Sequence, residues 1–405
     1  MAPYRGAPAG SLTSTRILTS LNHPIAVAAL AIVVRLVPAA LAFGTSDVMA
    51  WQLLGQLLLN GENFYATQLH NWPVLWIYFA GGALLAHDAT GLPFSTLVKI
   101  PPIVADAGIA ALLCRAGMRS SWSTTAGVIY ALHPVSILIT GYHGQFDSLM
   151  LAPTFLAWHI WQTWRGPKRL IGSGLALGLG VWFKPVPLLL LPVLLPRLAT
   201  WRERAVYTFL ALAPAALGTL PYFVLWPQDV AANFFGYSSW FGQWGYPVVW
   251  MVVEFVRNGT IPWWLPDPDH VSRALQWMYA AGRWVLVAAL ATTWWLTYRR
   301  GLDVLRSIVA TFAAFYFATS GFGVQYLLWI VPFAIAARDR WLWPFSVTAT
   351  GLLLVAYTLG LAYVPIEPIP DNGPDMREFV VKIASLPAWV VTGLWAWSAL
   401  RRRSA

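Results

Sequence analysis

Long apolar runs, parted by short polar or basic stretches, recur from residue 24 to residue 400. They fall at 24–43, 73–87, 97–114, 124–140, 148–164, 170–183, 185–196, 205–226, 276–298, 307–319, 325–337, 341–361 and 384–400. A helix that crosses a bilayer needs about 17–25 mostly apolar residues. The pattern therefore predicts an all-α, polytopic integral membrane protein with about 12–13 transmembrane helices. The runs on either side of Lys184 are short and are broken by Pro185 and Pro187. Irregular backbone at membrane depth survives only where protein surrounds it, so 170–196 is expected to form a broken hairpin buried by its neighbours.

Composition agrees. Hydrophobic residues make up 58% of the chain and charged residues 10%, against about 25% charged in a soluble domain. The 25 Trp, 15 Tyr and 20 Phe supply aromatic belts at both interfaces. A net charge of +10 could point to nucleic acid, but the basic residues sit in short clusters at the ends of apolar runs. That distribution marks topology and argues against a nucleic-acid partner. The single cysteine, Cys114, excludes an intrachain disulfide. Residues 1–22 read as a disordered cytoplasmic tail and 23–405 as one polytopic domain.

The basic clusters are Arg115/Arg119, Arg165/Lys168/Arg169, Arg197/Arg202/Arg204, Arg299/Arg300/Arg306, Arg338/Arg340 and Arg401–Arg403. The positive-inside rule places all six in the cytoplasm. Loops 45–72, 141–147, 227–275 and 362–383 then lie outside, and they hold most of the acidic residues. A parity conflict remains. If 24–43, 73–87 and 97–114 all cross from a cytoplasmic N-terminus, Arg115 lands outside. Either 73–87 does not fully cross or the N-terminus is external.

Polar residues near these spans are costly and mark candidate chemistry. The stretch Gly141-Tyr-His-Gly-Gln-Phe-Asp-Ser148 places His143, Gln145 and Asp147 between two apolar runs. Asp47 follows the first run and precedes an amphipathic segment, 51–59, suited to lie on the outer leaflet. It is either an N-cap or solvated loop acid, or a general base at the bilayer surface. Lys184 either snorkels to the interface or pairs with a lipid phosphate. Lys99 and Asp106 share a helix face about 10 Å apart along its axis, too far for direct pairing. They are expected to serve structural ion pairing, with Arg35 or Arg283 as the partner of Asp106 from another helix. No spacing suits a dedicated metal site, so no cofactor is indicated and no ligand motif supports a divalent metal.

In this order the pieces resemble the glycosyltransferase C (GT-C) superfold of polyprenyl- or dolichyl-phosphate-sugar-dependent enzymes. The likeness covers roughly 24–332. It is carried by the early acidic residue Asp47, by Trp72-Pro73-Val74-Leu75, by Lys99 to Asp106, and by His143-Gly-Gln-Phe-Asp147. The runs Lys184–Pro192 and Gln325–Pro332 complete it. The 143–147 turn is similar to that of the GPI-anchor mannosyltransferases and N-glycan glucosyltransferases. The second proline usual after Trp72-Pro73 is absent, and Asp47 belongs to no paired acidic motif.

The resemblance implies a cell-envelope or lumenal hexosyltransferase of mannose or glucose type. Its donor would be a polyprenyl-phosphate sugar and its acceptor a glycan or glycolipid on the external face. Asp47 would be the catalytic base. Lys184, His143, Gln145, Asp147, Gln325 and Tyr326 would hold the donor, and Tyr65 and Trp72 would position the acceptor. A transporter or flippase for a polyprenyl-linked or sugar substrate is the alternative from another class. It explains the hydrophobicity and intramembrane charges equally well but predicts two similar halves, and no internal repeat is evident.

Overall fold

A computed structural model describes residues 24–117, 123–236, 239, 241–259, 273–360 and 376–401. The N-terminal tail, Arg119, Trp240, Trp263, Trp264, Asp267, Asp269 and most of loop 362–383 lie outside the described residues. Among the described residues the chain is helical throughout, with one isolated β-bridge between Phe241 and Gly321. Six helices among the described residues are long and apolar enough to cross a membrane: Pro24–Leu41, Phe94–Arg115, Thr125–His143, Trp201–Leu225, Leu342–Leu359 and Met376–Arg401. Val186–Arg197, Val304–Ala318 and Val324–Ala336 are shorter apolar pieces. One hydrophobic core runs from Val27 to Ala396, with a small satellite of Phe241, Met251, Leu275 and Phe379.

Helix α1 (Pro24–Leu41) leads into α2 (Ser46–Leu59), α3 (Leu75–Thr90) and α4 (Ile100–Gly117). Thr96 donates its hydroxyl to the Ala39 carbonyl at 3.3 Å, and Lys99 donates Nζ to the Ala42 carbonyl at 2.8 Å. The start of α4 therefore abuts the end of α1. At the other end of the pair, a methyl on Gly127 would collide with Cys114 Sγ and touch Val27. So α1 and α4 are antiparallel neighbours, and the α2–α3 hairpin leaves and returns at one level. This bears on the parity conflict: residues 43 and 98 lie at one level, and Arg115 lies at the end of the bundle where the chain enters at Pro24. Helix α2 does not simply lie on a leaflet. Trp51, Leu54 and Gly55 are buried, Gly55 against Ala80 of α3, while Met49, Leu53 and Leu59 face outward.

Helix α5 (Ser123–Ala131) continues through a short turn into a π-helical segment, Ile137–His143. Helices α6 (Asp147–Thr163) and α7 (Gly166–Phe183) follow. The expected external loop 141–147 is not exposed. Gly141, His143, Gln145 and Asp147 are all buried inside the protein. The hairpin break at Lys184 is present. Beyond it the return leg is a chain of 3₁₀ and short α turns, Val186 to Arg197, because Pro185, Pro187, Pro192 and Pro196 deny it a regular ladder.

Helix α8 (Trp201–Leu225) opens on a capping box. The Thr200 hydroxyl accepts from Glu203 N at 3.2 Å, and the Glu203 carboxylate accepts from Thr200 N at 3.1 Å. Val206, Phe209, Leu217 and Val224 form its lipid-facing stripe. On the other side Gly178 lets α7 approach the Leu210 carbonyl closely, the small-residue packing favoured where lipid supplies no hydrophobic drive. The region expected as loop 227–275 contains two amphipathic helices, α9 (Pro227–Phe235) and α10 (Tyr246–Asn258). Then come α11 (Arg273–Arg299), α12 (Val304–Ala318), the turn Val324–Leu328, α13 (Leu342–Val355) and α14 (Met376–Arg401). Helix α14 begins eight residues before the expected span at 384. Arg197 donates to the Leu302 carbonyl at 2.6 Å and to Ser307 Oγ at 3.1 Å, which holds two basic clusters at one end of the bundle.

Exposed positions Ala66 and Lys168 lie at opposite ends of this arrangement. Single cysteines there, with Cys114 replaced, are expected to react with an impermeant thiol reagent from opposite faces of sealed membranes. Labelling of both from one face would contradict the helix order.

Candidate functional site

The residue before a proline is pushed toward extended backbone, and Lys184 adopts φ −158°, ψ 139° ahead of Pro185. Helix α7 stops there and the side chain turns inward. Its Nζ lies 3.1 and 2.9 Å from the two carboxylate oxygens of Asp147, the first residue of α6. Trp329 donates its indole N–H to Asp147 Oδ1 at 2.6 Å. Both charged side chains are fully buried. The ammonium also faces the rings of Phe146, Trp72 and Tyr326 at 4.8, 5.1 and 5.8 Å. Lys184 therefore does not snorkel: its ammonium is buried on Asp147, which is itself a buried, ion-paired acid.

Asp47 stands one turn of chain away from this pair, in the first turn of α2, where the helix dipole favours an anion. Its Oδ2 accepts from His143 Nε2 at 2.8 Å and, through a very short contact, from Gln145 Nε2. No hydrogen bond reaches its Oδ1 among the described residues, and 39% of the side chain is accessible. Burial raises the Asp47 carboxyl, but the His143 and Gln145 hydrogen bonds and the charges of His143 and Lys184 together outweigh it. The carboxyl is held below its usual range.

The backbone around Asp47 is shaped to bring these groups together. Gly44 has φ +110°, and a methyl there would come within 2.9 Å of the Tyr142 carbonyl. Gly144 has φ +86°, and a methyl there would press on Val48 at 2.8 Å. Only glycine fits both positions at low cost. His143 closes the π-helical segment, and its Nδ1 meets the hydroxyl of Tyr357 at 2.8 Å. Tyr357 lies in a second π-helical turn, Ala356–Gly360. Such turns are rare and concentrate at functional sites. His143 thus bridges the two groups, with Nε2 on Asp47 and Nδ1 on the Tyr357 hydroxyl.

Tyr65 and Trp72 belong to the loop between α2 and α3. The Tyr65 hydroxyl donates to the Trp72 carbonyl at 3.1 Å, and Asn233 of α9 donates to the Tyr65 carbonyl at 2.7 Å. Tyr65 is thus a buried brace for Trp72, whose ring faces Lys184. Nearby, burial pushes the His70 imidazole down to about 4, and its Nε2 donates to the Pro73 carbonyl at 3.2 Å. Tyr326 stacks on Trp329 at 4.1 Å between ring centres. Gln325 lies over Gly323 of its own turn and hydrogen-bonds no site residue among those described.

Lys99 and Asp106 do not act together. Asp106 accepts from Arg35 Nε and Ser136 Oγ at 2.8 Å each and from Tyr130, all fully buried, so Arg35 is the expected partner from another helix. Arg283 is exposed and sits against Trp284. Lys99 is fully buried with the Ala42 carbonyl as its hydrogen-bond partner and forms no ion pair among the described residues. Its placement as a member of an ion pair is therefore corrected.

Trp329 falls within the Gln325–Pro332 run but does not stand out there, and Tyr357 is not marked by its own sequence neighbourhood, its contact with His143 spanning 214 positions. Among the described residues no three His, Cys, Asp or Glu side chains converge as metal ligands.

Breaking a buried pair leaves one charge stranded. Lys184→Met is expected to lower stability by about 3–5 kcal/mol, and adding Asp147→Asn to recover most of that loss. Unfolding in detergent measures both, and a Lys184→Met protein as stable as the wild type would exclude the pair.

No protein-family model, curated protein or solved structure matches this chain, so the chemistry of the site itself carries any functional reading.

Proposed function

We propose that this chain is a membrane glycosyltransferase of about 12–13 spans that moves a hexose from a polyprenyl-phosphate donor to an acceptor hydroxyl. One observation carries the reading. Asp47 is an ionised carboxylate with one oxygen clamped by His143 and Gln145 and the other open at the rim of the core. That is the geometry of a positioned base.

The acceptor oxygen attacks the anomeric carbon from the face opposite the leaving group. The carbon–oxygen bond to phosphate breaks, its electron pair leaves with the lipid phosphate, and the hydroxyl proton passes to Asp47 Oδ1. Configuration inverts. A lipid phosphate leaves as an anion without added proton, so one carboxylate serves where glycoside hydrolases use two. A carboxylate held low is a weak base, which suits proton transfer late in a displacement with strong positive charge on the sugar. The Lys184–Asp147 pair has no net charge to offer a phosphate. Its part is to fix the 144–147 turn behind Gln145. Gln325 and Tyr326 remain the donor-side candidates. The basic clusters at the opposite end support an external site by the positive-inside rule.

Asp47→Asn keeps shape and reach but accepts no proton. Release of polyprenyl phosphate from polyprenyl-phosphate mannose or glucose, with a glycolipid extract as acceptor, is expected to fall about 10²–10⁴-fold while the protein stays folded. Near wild-type release would refute the base and favour a transport role. The lowered carboxyl also sets a pH dependence. Activity should persist as pH falls to about 4 and fail only below it, because Asp47 stays ionised through the ordinary carboxylate range. In His143→Asn the acid limb should move up; an unmoved limb would detach His143 from the base.

A further inference from the structure

At the basic end, far from Asp47, helices α8 and α11 flank a groove without packing on one another along their length. The segment 192–196 forms its floor. The cavity has a volume of about 390 Å³ and is lined by Pro192, Leu195, Pro196, Arg204, Trp294, Trp295 and Tyr298. That is the size of a small-ligand site, about 300–1,000 Å³. Its walls are mostly apolar, the exposed Trp295 and Tyr298 open it to the outside of the bundle, and no acidic residue lines it.

Two polar groups stand at its mouth. Arg204 is anchored by its Nε and Nη2, which donate to the Leu198 carbonyl at 3.3 and 3.1 Å. Its Nη1 and the Tyr298 hydroxyl make no hydrogen bond among the described residues. The nearby carboxylates are already engaged: Glu203 closes the capping box, and Asp303 caps α12 and pairs with Arg306. Arg202 and Arg299 lie against Trp201 and Trp295, which leaves the rim positive.

We propose that this groove is a binding site for an anionic phospholipid of the adjoining leaflet. One acyl chain fills the space between α8 and α11 against Leu195 and Trp294. The headgroup phosphate accepts from Arg204 Nη1 and Tyr298. Anionic headgroups favour basic pockets between membrane helices, and each nearby arginine strengthens the attraction. The lipid supplies the contact that α8 and α11 do not make with each other. The site is independent of the glycosyltransferase reading.

Native mass spectrometry of the detergent-purified full chain, titrated with phosphatidylglycerol or phosphatidylcholine of matched acyl chains, tests this. The wild type is expected to retain one phosphatidylglycerol selectively. Arg204→Gln should weaken retention roughly tenfold, the scale of one charge-assisted phosphate contact. Leu195→Trp fills the groove without touching the arginine and should abolish retention. Arg202→Gln, whose guanidinium lies on Trp201 outside the groove, should lose far less than Arg204→Gln does. Equal retention of the two lipids would overturn the proposal. So would wild-type binding by Leu195→Trp or an equal loss in Arg202→Gln.

Discussion

The ion pair between Lys184 and Asp147 is the constraint on which the polar end of this protein depends. Neither charge could stay ionised there alone, because desolvation of a single buried ion costs several kcal/mol. Together they join the break after α7 to the start of α6, and Trp329 ties the 324–330 turn to the same carboxylate. Phe146, Trp72 and Tyr326 wall the ammonium with ring faces. Three irregular stretches that could not lie in lipid by themselves thus satisfy one another inside protein.

That arrangement sets the position of Asp47. Gln145 and His143 sit just before Asp147, so fixing the turn from behind fixes the two donors that grip Asp47 in front. Trp51, four residues past Asp47, packs edge-on against both Trp76 and Phe146 at 5.8 and 5.5 Å. The base candidate is therefore held from its own helix and from the turn it faces. A second buried pair, Arg35–Asp106, pins α1 to α4 nearer the middle of the bundle and has no accessible face, so its role is structural.

Much of this was legible in the sequence for a definite reason. Apolar runs report lipid and core alike, so the helices at 24–41, 201–225 and 342–355 lie close to where the pattern put them. The cluster His143, Gln145, Asp147 and its neighbour Asp47 stood out because polar groups are rare in such surroundings. What periodicity could not show was pairing. Whether Lys184 is alone or neutralised depends on a partner 37 residues away, and Asp106 meets Arg35 across 71. The buried state of 141–147 was hidden for a related reason, since a polar turn looks like a loop until its hydrogen-bond partners are known. The α2–α3 hairpin was ambiguous by length alone, and contacts at its two ends show that it leaves and returns at one level.

The most direct test is a cryo-electron microscopy map of the protein with a non-hydrolysable polyprenyl-phosphate hexose. The expected result places the anomeric carbon before Asp47 Oδ1, with room for an acceptor hydroxyl between them and Lys184 still on Asp147. A sugar bound away from Asp47, or a lipid phosphate seated on Lys184 with Asp147 displaced, would contradict it.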